Sequence, residues 1–341
     1  MHALASYDLT IRGAGIFGLS VAWAAVKRGA RVRVVDPGGV AAGASGGIVG
    51  ALAPHTPENW NPKKAFQFES LLMARALWPE IEALTGLPTG YARTGRLQPV
   101  ADARALGLAR ARAESAKDLW QGAATWELRE AVEPWAPQSP TGQLIFDDLS
   151  AHLNPKLATR ALAKAVEAKG GVIEAEADDE GAVLWATGAA GLAELNAGNA
   201  VKGQAALLRL DRAGLPQLFA DALHIMPHLD GTVAIGSTSE REYEHEGTDA
   251  LLDDVIARAR AAVPVLVEAE VIQRWAGLRP RARSRAPMLG SWPGRPGHYI
   301  ANGGFKIGFG MAPKVGEVMA DLILEGRDTI PEGFGVEANL R

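Results

Sequence analysis

Six residues near the start of the chain, Gly13-Ala14-Gly15-Ile16-Phe17-Gly18, are spaced so that a backbone turn can hold a pyrophosphate. The chemistry is electrostatic. Gly13 permits a tight turn, Gly15 lets the backbone approach phosphate oxygens, and Gly18 lets a helix pack hard against a strand. A helix starting there presents free N–H groups and its positive dipole end to the anion. Three glycines at this spacing are a weak signal alone, so their context decides. Asp8-Leu9-Thr10-Ile11 ahead of them reads as a strand, and Leu19 to Arg28 behind them as a buried helix ending at Gly29. A second strand, Val32 to Val35, closes on Asp36, where a carboxylate can accept hydrogen bonds from an adenosine ribose. This strand–turn–helix–strand unit predicts dinucleotide binding, and it serves NAD and FAD equally well.

Further candidates for chemistry follow. From Ala41 to Ala51 the residues are nearly all small, and the stretch includes Ser45. Either something approaches this backbone closely, with Ser45 as a phosphate ligand, or it is a flexible Gly/Ala loop. Near the other end, His298-Tyr299-Ile300-Ala301 reads as a strand. It runs into Asn302-Gly303-Gly304-Phe305-Lys306-Ile307-Gly308-Phe309-Gly310 and then a helix from about Pro313 to Leu324. That is a second strand–glycine turn–helix unit, with a lysine inside the turn. Arg274, Arg279, Arg281, Arg283 and Arg285 form a locally basic run. If extended, the last three share one face, either a solvated edge or a surface for a large acidic partner. The seven histidines show no metal-ligand spacing.

These residues need a scaffold, and 341 residues suffice for two domains. With 48% apolar and 22% charged residues the composition is ordinary and globular. The net charge of −4 gives no general reason to expect nucleic acid or an anionic membrane as partner. Cysteine is absent, which excludes disulfides, thiol catalysis, Fe–S clusters and a cysteine-linked flavin. The apolar run from Leu9 to Val26 contains Arg12 and is accounted for by strand and helix, so no signal peptide or span is expected and a cytoplasmic location is the default. A helix around Phe66 to Leu84, a short strand at Thr94 to Val100 and a helix at Arg104 to Trp120 break the alternating β-α pattern and open a second domain. Trp120, Trp126 and Trp135 either pack in its core or line a cavity. The helix opened by Asn154-Pro155, and the strands Val172-Ile173 and Ala182 to Trp185 leading into Ala186-Thr187-Gly188, return to the first domain. Residues 200–275 read as mostly antiparallel β, with strands at Ala205 to Leu208, Leu223 to Pro227 and Thr232 to Gly236, and one helix, Asp249 to Val263, capped by Thr248. The expected fold is α/β, α+β overall: a Rossmann-like domain from 1–55, 141–199 and 276–341, and a second β domain from 56–140 and 200–275.

Taken in order, Gly13 to Gly18, Asp36, Gly43-Ala44-Ser45-Gly46, Ala186-Thr187-Gly188, Gly277-Leu278-Arg279-Pro280 and Gly303-Gly304-Phe305-Lys306 resemble the FAD-dependent amino-acid oxidases of the D-amino-acid oxidase group. Within that group the chain looks like the glycine and sarcosine oxidases and the oxidase domain of a bacterial tRNA wobble-uridine modification enzyme. The resemblance spans essentially the whole chain. It implies a noncovalent FAD, with the ADP half on Gly13, Gly15, Ile16, Phe17, Gly18 and Asp36. The ring would lie between Ala44, Ser45, Gly46, Gly47, Ile48 and Gly50 on one side and Gly303, Gly304, Phe305, Lys306, Ile307 and Gly308 on the other, with Thr187 and Gly188 nearby.

By position, Arg279 matches the arginine that clamps the substrate carboxylate in glycine oxidase, and Lys306 falls where related enzymes carry a carboxylate-binding lysine or arginine. His224 falls about where glycine oxidase has a substrate-contacting tyrosine; a core histidine is the other reading. The lysine that sarcosine oxidase uses to activate oxygen has no clear counterpart near Val233-Ala234, and the region between Ile173 and Val183 is short. The implied activity is oxidation of the C–N bond of a small carboxylate-bearing amine, by hydride transfer to flavin N5. Imine hydrolysis follows, with reoxidation by O2 giving H2O2 or by another acceptor. A 2-hydroxy-acid oxidase or dehydrogenase, or a noncatalytic FAD-binding subunit, are the alternatives. The sequence does not specify the oligomeric state.

Overall fold

A computed structural model describes residues 6–131 and 134–340. Its first sheet grows outward from β1 (Leu9–Arg12), which pairs in parallel with β2 (Val32–Val35) on one side and β9 (Ala182–Trp185) on the other. β8 (Val172–Glu174) extends it beyond β2, and β16 (His298–Asn302) beyond β9, both in parallel. The edge strand β15 (Met288–Ser291) runs antiparallel to β16. The order is thus β15-β16-β9-β1-β2-β8. Helices cover such a sheet, so its strands read as apolar runs rather than alternations.

Helix α1 (Ile16–Lys27) is buried from Ile16 to Val26. It packs on α7 (Gly308–Glu325) so closely that a Cβ on Gly316 would lie 2.5 Å from the Ser20 carbonyl oxygen. The helix α4 (Pro155–Ala168) starts as expected: Asn154 accepts from Leu157 N at 3.2 Å and Pro155 takes the first helical position. It buries Ala158, Ala161, Leu162, Ala165 and Val166, a stripe of period 3.6. Helix α2 (Pro62–Thr85) is capped by Asn61 and stopped by the left-handed Gly86. The short α5 (Gly188–Glu194) follows β9. Helix α7 begins five residues before the expected Pro313, because Gly308 to Gly310 already have helical form.

The second sheet has eight strands in the order β14 (Glu270–Ala282), β10 (Gly198–Arg209), β13 (Thr232–Gly236), β12 (Leu223–Pro227), β11 (Gln217–Ala220), β4 (Arg96–Pro99), β6 (Gln143–Asp147), β5 (Trp126–Glu130). Only β11–β4 is parallel. One face puts Ala206, Leu208, Leu218, Ile225 and Ile235 into a core with Leu252, Val255 and Ile256 of α6 (Ala250–Ala262). Side chains alternate along strands, so Gly203, Gly277, Arg279 and His224 belong to the other face. α3 (Ala103–Leu119) packs beside β5, and the two-stranded β3 (Ala51–Leu52) and β7 (Ala151–His152) bridge the layers.

Several sequence expectations change here. Strand β6 lies inside 141–199, expected with the nucleotide unit, yet pairs with β4 and β5 in the eight-stranded sheet; its apolar pattern says strand without saying which sheet. α6 is capped by Asp249, whose carboxylate accepts from Leu251 N at 2.9 Å, not by Thr248. Arg281, Arg283 and Arg285 share no extended face: β14 stops at Ala282 and Arg285 has φ +61°. Trp120, Trp126 and Trp135 are core residues, at most 6% exposed. No helix among the described residues is long and apolar enough to cross a membrane.

Candidate active site

The C-terminal ends of β1, β2, β9 and β16 open into a cleft of about 1120 Å³, roofed by the second sheet. Gly13 takes φ +117°, and a Cβ there would lie 2.4 Å from the Ala186 oxygen. Gly15 precedes α1 with no side-chain cap, which leaves the helix dipole open toward the cleft; Ile16 N donates to Ser45 Oγ at 2.9 Å. The carboxylate of Asp36 lines the cleft after β2 and accepts from Ala14 N at 2.8 Å and Gly38 N at 2.9 Å. Its remaining lone pairs suit a ribose diol. Ala44, Ser45, Gly47, Ile48 and Gly50 line the wall, as do Thr187 and Gly188 after β9. Gly18 and Gly46, expected among the binding residues, sit behind this surface. Their Cβ atoms would strike the Gly13 oxygen at 2.0 Å and the Ala41 oxygen at 2.4 Å, so they serve the turns' packing instead.

The second glycine turn meets the first. Gly304 packs against the Phe17 ring, where a Cβ would come to 2.9 Å, and Gly308 faces Ile16. Gly303 has φ +77° and its N–H donates to Asn302 Oδ1; Phe305 N donates to the Pro280 oxygen at 3.0 Å. Gly303 to Gly308 therefore line the same cleft as Gly13 to Phe17. A glycine-walled groove with an open helix N-terminus and an acidic ribose acceptor at one end is a site into which the ADP half of FAD fits.

At the far end the walls are cationic. Arg279 is 8% exposed. It lies over Gly203, with Nη1 donating to Ser237 Oγ at 2.7 Å and Nη2 to the oxygens of Lys202 (3.3 Å) and Thr238. Its Nε is buried without a partner, and it makes no ion pair with a carboxylate among the described residues. Burial pushes its pKa down to about 10, against the pull of Glu240. Lys306 is exposed at the rim, and desolvation of its ammonium and then the Arg279 charge lower its pKa; the Phe305 ring lies 5.6 Å from the Arg279 cation and 5.8 Å from that of Lys306. His224 also lines the cleft. Burial, then the charges of Arg96 and Lys306, push its pKa down to about 3, so it is neutral, with Nδ1 unpartnered.

Sequence reasoning missed four of the neighbours. Phe219 packs against His224 with the rings tilted 49° and their centroids 4.8 Å apart. Arg96 faces the cleft while pairing with the buried Asp147 at 3.0 Å. Trp275 lies across Gly277, and His55 bonds Gln67. All four depend on strand pairings or loop returns between distant segments, for which no local signal exists.

The family model described as DAO, FAD dependent oxidoreductase, matches residues 8–322. The chain belongs to this family. Among FAD dependent oxidoreductases it is similar to glycine oxidase of Geobacillus kaustophilus, 26% identical over 93% of both chains. It is 29% identical to the putative thiamine biosynthesis oxidoreductase ThiO of Rhizobium etli, over 93% of this chain and 97% of that one. The crystal structure of the Geobacillus kaustophilus glycine oxidase superposes with a TM-score of 0.82, at 22% identity and covering 97% and 98% of the chains. Membership makes the protein an FAD-dependent oxidoreductase and FAD its cofactor.

Two histidines of this oxidoreductase, the buried His152 and the partly buried His224, carry a pH prediction. His152, whose ring nitrogens have no partner, is pushed down to about 4 by burial and the neighbouring His228, and His224 to about 3. Both unfold to the ordinary value of 6.5. Between these values the unfolded chain binds more protons. Stability is therefore full above pH 6.5 and is lost as pH falls toward 4 and then 3. The loss from His152 alone is on the order of 2–3 kcal/mol. Urea unfolding from pH 7.5 to 4 checks this, and His152→Phe is expected to flatten the slope.

Proposed function

We propose that this chain oxidises the C–N bond of a small amino acid or secondary amine bearing a carboxylate. One observation carries the reading: a buried guanidinium, Arg279, with no carboxylate counter-ion among the described residues, faces the same cleft as both glycine turns. Neutral oxygens hold this buried charge and no carboxylate among the described residues touches it, so the site suits an anionic ligand. Lys306 adds a second cation beside it. The two positive charges also disfavour an ammonium, which supports the neutral amine that oxidation requires. Neutral His224 can hydrogen-bond the substrate without adding a third charge, and with Phe219 it limits the room for a side chain. When bound, FAD supplies the two-electron acceptor; the protein positions the substrate and excludes water from it.

The relatives named glycine oxidase make glycine the first substrate to try. In this reading residues 1–55, most of 141–199, and 283–341 hold FAD, while 56–140, β6 and 200–282, including all of β14 where the sequence placed a boundary at 276, shape the substrate end. The test is a purified protein's visible spectrum and a panel of glycine, sarcosine, D-alanine, L-proline and glycolate, monitored for anaerobic bleaching and for H2O2 in air. Bleaching by glycolate and by none of the amines would overturn the reading in favour of a 2-hydroxy acid.

Lys306→Met is expected to raise KM about tenfold while kcat stays within about threefold, the mark of an anchor felt equally in ground and transition states. Steady-state kinetics with the best amine of the panel measure it.

A further inference from the structure

A second set of charged residues lies on the opposite face of the sheet, directly behind Arg279. Lys202 of β10 is fully buried. Its Nζ lies 2.6 Å from Asp249 Oδ2 and 3.3 Å from Glu240 Oε2. Gln204, two residues along the same face, donates to Asp249 Oδ1 at 2.7 Å and Glu240 Oε1 at 3.0 Å, and accepts from Asp249 N at 2.8 Å. The Thr238 hydroxyl bonds Glu240 Oε1 and accepts from Gln204 N. Every member answers another, as a buried polar network must to be stable.

The network ties one short segment to β10. Lys202 N donates to the Glu240 oxygen and Glu240 N to the Lys202 oxygen, each at 2.9 Å. That segment supplies the Ser237 hydroxyl and the Thr238 carbonyl to Arg279, and β10 supplies the Lys202 carbonyl. All three acceptors of the guanidinium thus sit on backbone that the network clamps. Two carboxylates against one ammonium also leave a net negative charge behind Arg279 without blocking its cleft side.

We propose that Lys202 and Glu240 are positioning residues: with Asp249 and Gln204 they pin Ser237–Glu240 to β10 and so hold Arg279 in the orientation that takes the substrate carboxylate. This rests on the reading of Arg279 given above. A loosened segment leaves the cation present but its donors misdirected, so carboxylate binding suffers more than FAD binding.

The test uses the FAD-loaded enzyme and acetate as the carboxylate probe, titrated through the flavin absorbance at constant ionic strength. Lys202→Met is expected to weaken acetate about tenfold with FAD retained, and to raise substrate KM more than it lowers kcat. Added to Arg279→Ala, it is expected to weaken acetate no further, because its effect passes through that guanidinium. Unchanged acetate affinity in Lys202→Met overturns the inference, and so does an equal loss in the Arg279→Ala background, which marks a merely structural role. If Lys202→Met fails to retain FAD, Glu240→Gln decides on the same two criteria, since it leaves Lys202 paired with Asp249. Arg279→Ala with wild-type acetate affinity, or a wild-type spectrum indifferent to acetate, overturns the carboxylate reading itself.

Discussion

Arg279→Ala is expected to purify yellow and to lose about a thousandfold in kcat/KM for the amine substrate. The size follows from burial. Removing one partner of a desolvated, hydrogen-bonded charge pair costs about 4 kcal/mol, which is close to three powers of ten in rate. The change leaves the first glycine turn and Asp36 untouched, because Arg279 belongs to the second sheet and its acceptors are Ser237, Thr238 and Lys202. Nor does it leave a carboxylate stranded, since among the described residues it has no ion-pair partner to strand. Flavin content from the visible spectrum and the rate of anaerobic bleaching separate the two quantities. A bleaching rate within about threefold of wild type would remove Arg279 from the active site.

Gly15→Val is expected to give the opposite result, a folded and colourless protein. Gly15 has φ −86°, which any residue adopts, and a Cβ there meets only Ser45 Oγ at 3.1 Å. Valine at this helix cap costs about 1 kcal/mol, far less than unfolding requires. Its side chain enters the space where the backbone must come against a pyrophosphate, so FAD affinity should fall at least about a hundredfold. Gly18→Val is the contrasting control: its Cβ would strike the Gly13 oxygen at 2.0 Å, and the fold itself should suffer. Reconstitution with FAD, read by flavin absorbance beside far-UV circular dichroism, distinguishes them. A Gly15→Val protein with full flavin stoichiometry would mean that the pyrophosphate lies elsewhere.

Legibility followed the range of the interactions. The unit from β1 to Asp36 is local, and strand period, glycine spacing and helix all agree, so it could be read directly. The turn at Gly303 to Gly308 was equally plain as a turn, but its meeting with Phe17 is a contact across nearly the whole chain. Arg279 and Lys306 drew attention through a family resemblance; no local pattern distinguishes a buried guanidinium from a solvated one. Strand β6 and the caps Thr248 and Asp249 show the limit more sharply. In each case the residue type was right for the element, and only side-chain geometry or strand partners could choose the outcome. Lys202 is the clearest omission. A lysine within an apolar strand suggests an edge, and what makes it a core residue is a pair of acids 38 and 47 positions away.

The helix that begins at Gly308 leans on the one that begins at Ile16. During synthesis the N-terminal half-site leaves the ribosome first, but its far wall is still untranslated. The groove between the two glycine turns is therefore incomplete until the chain has been made through Gly308.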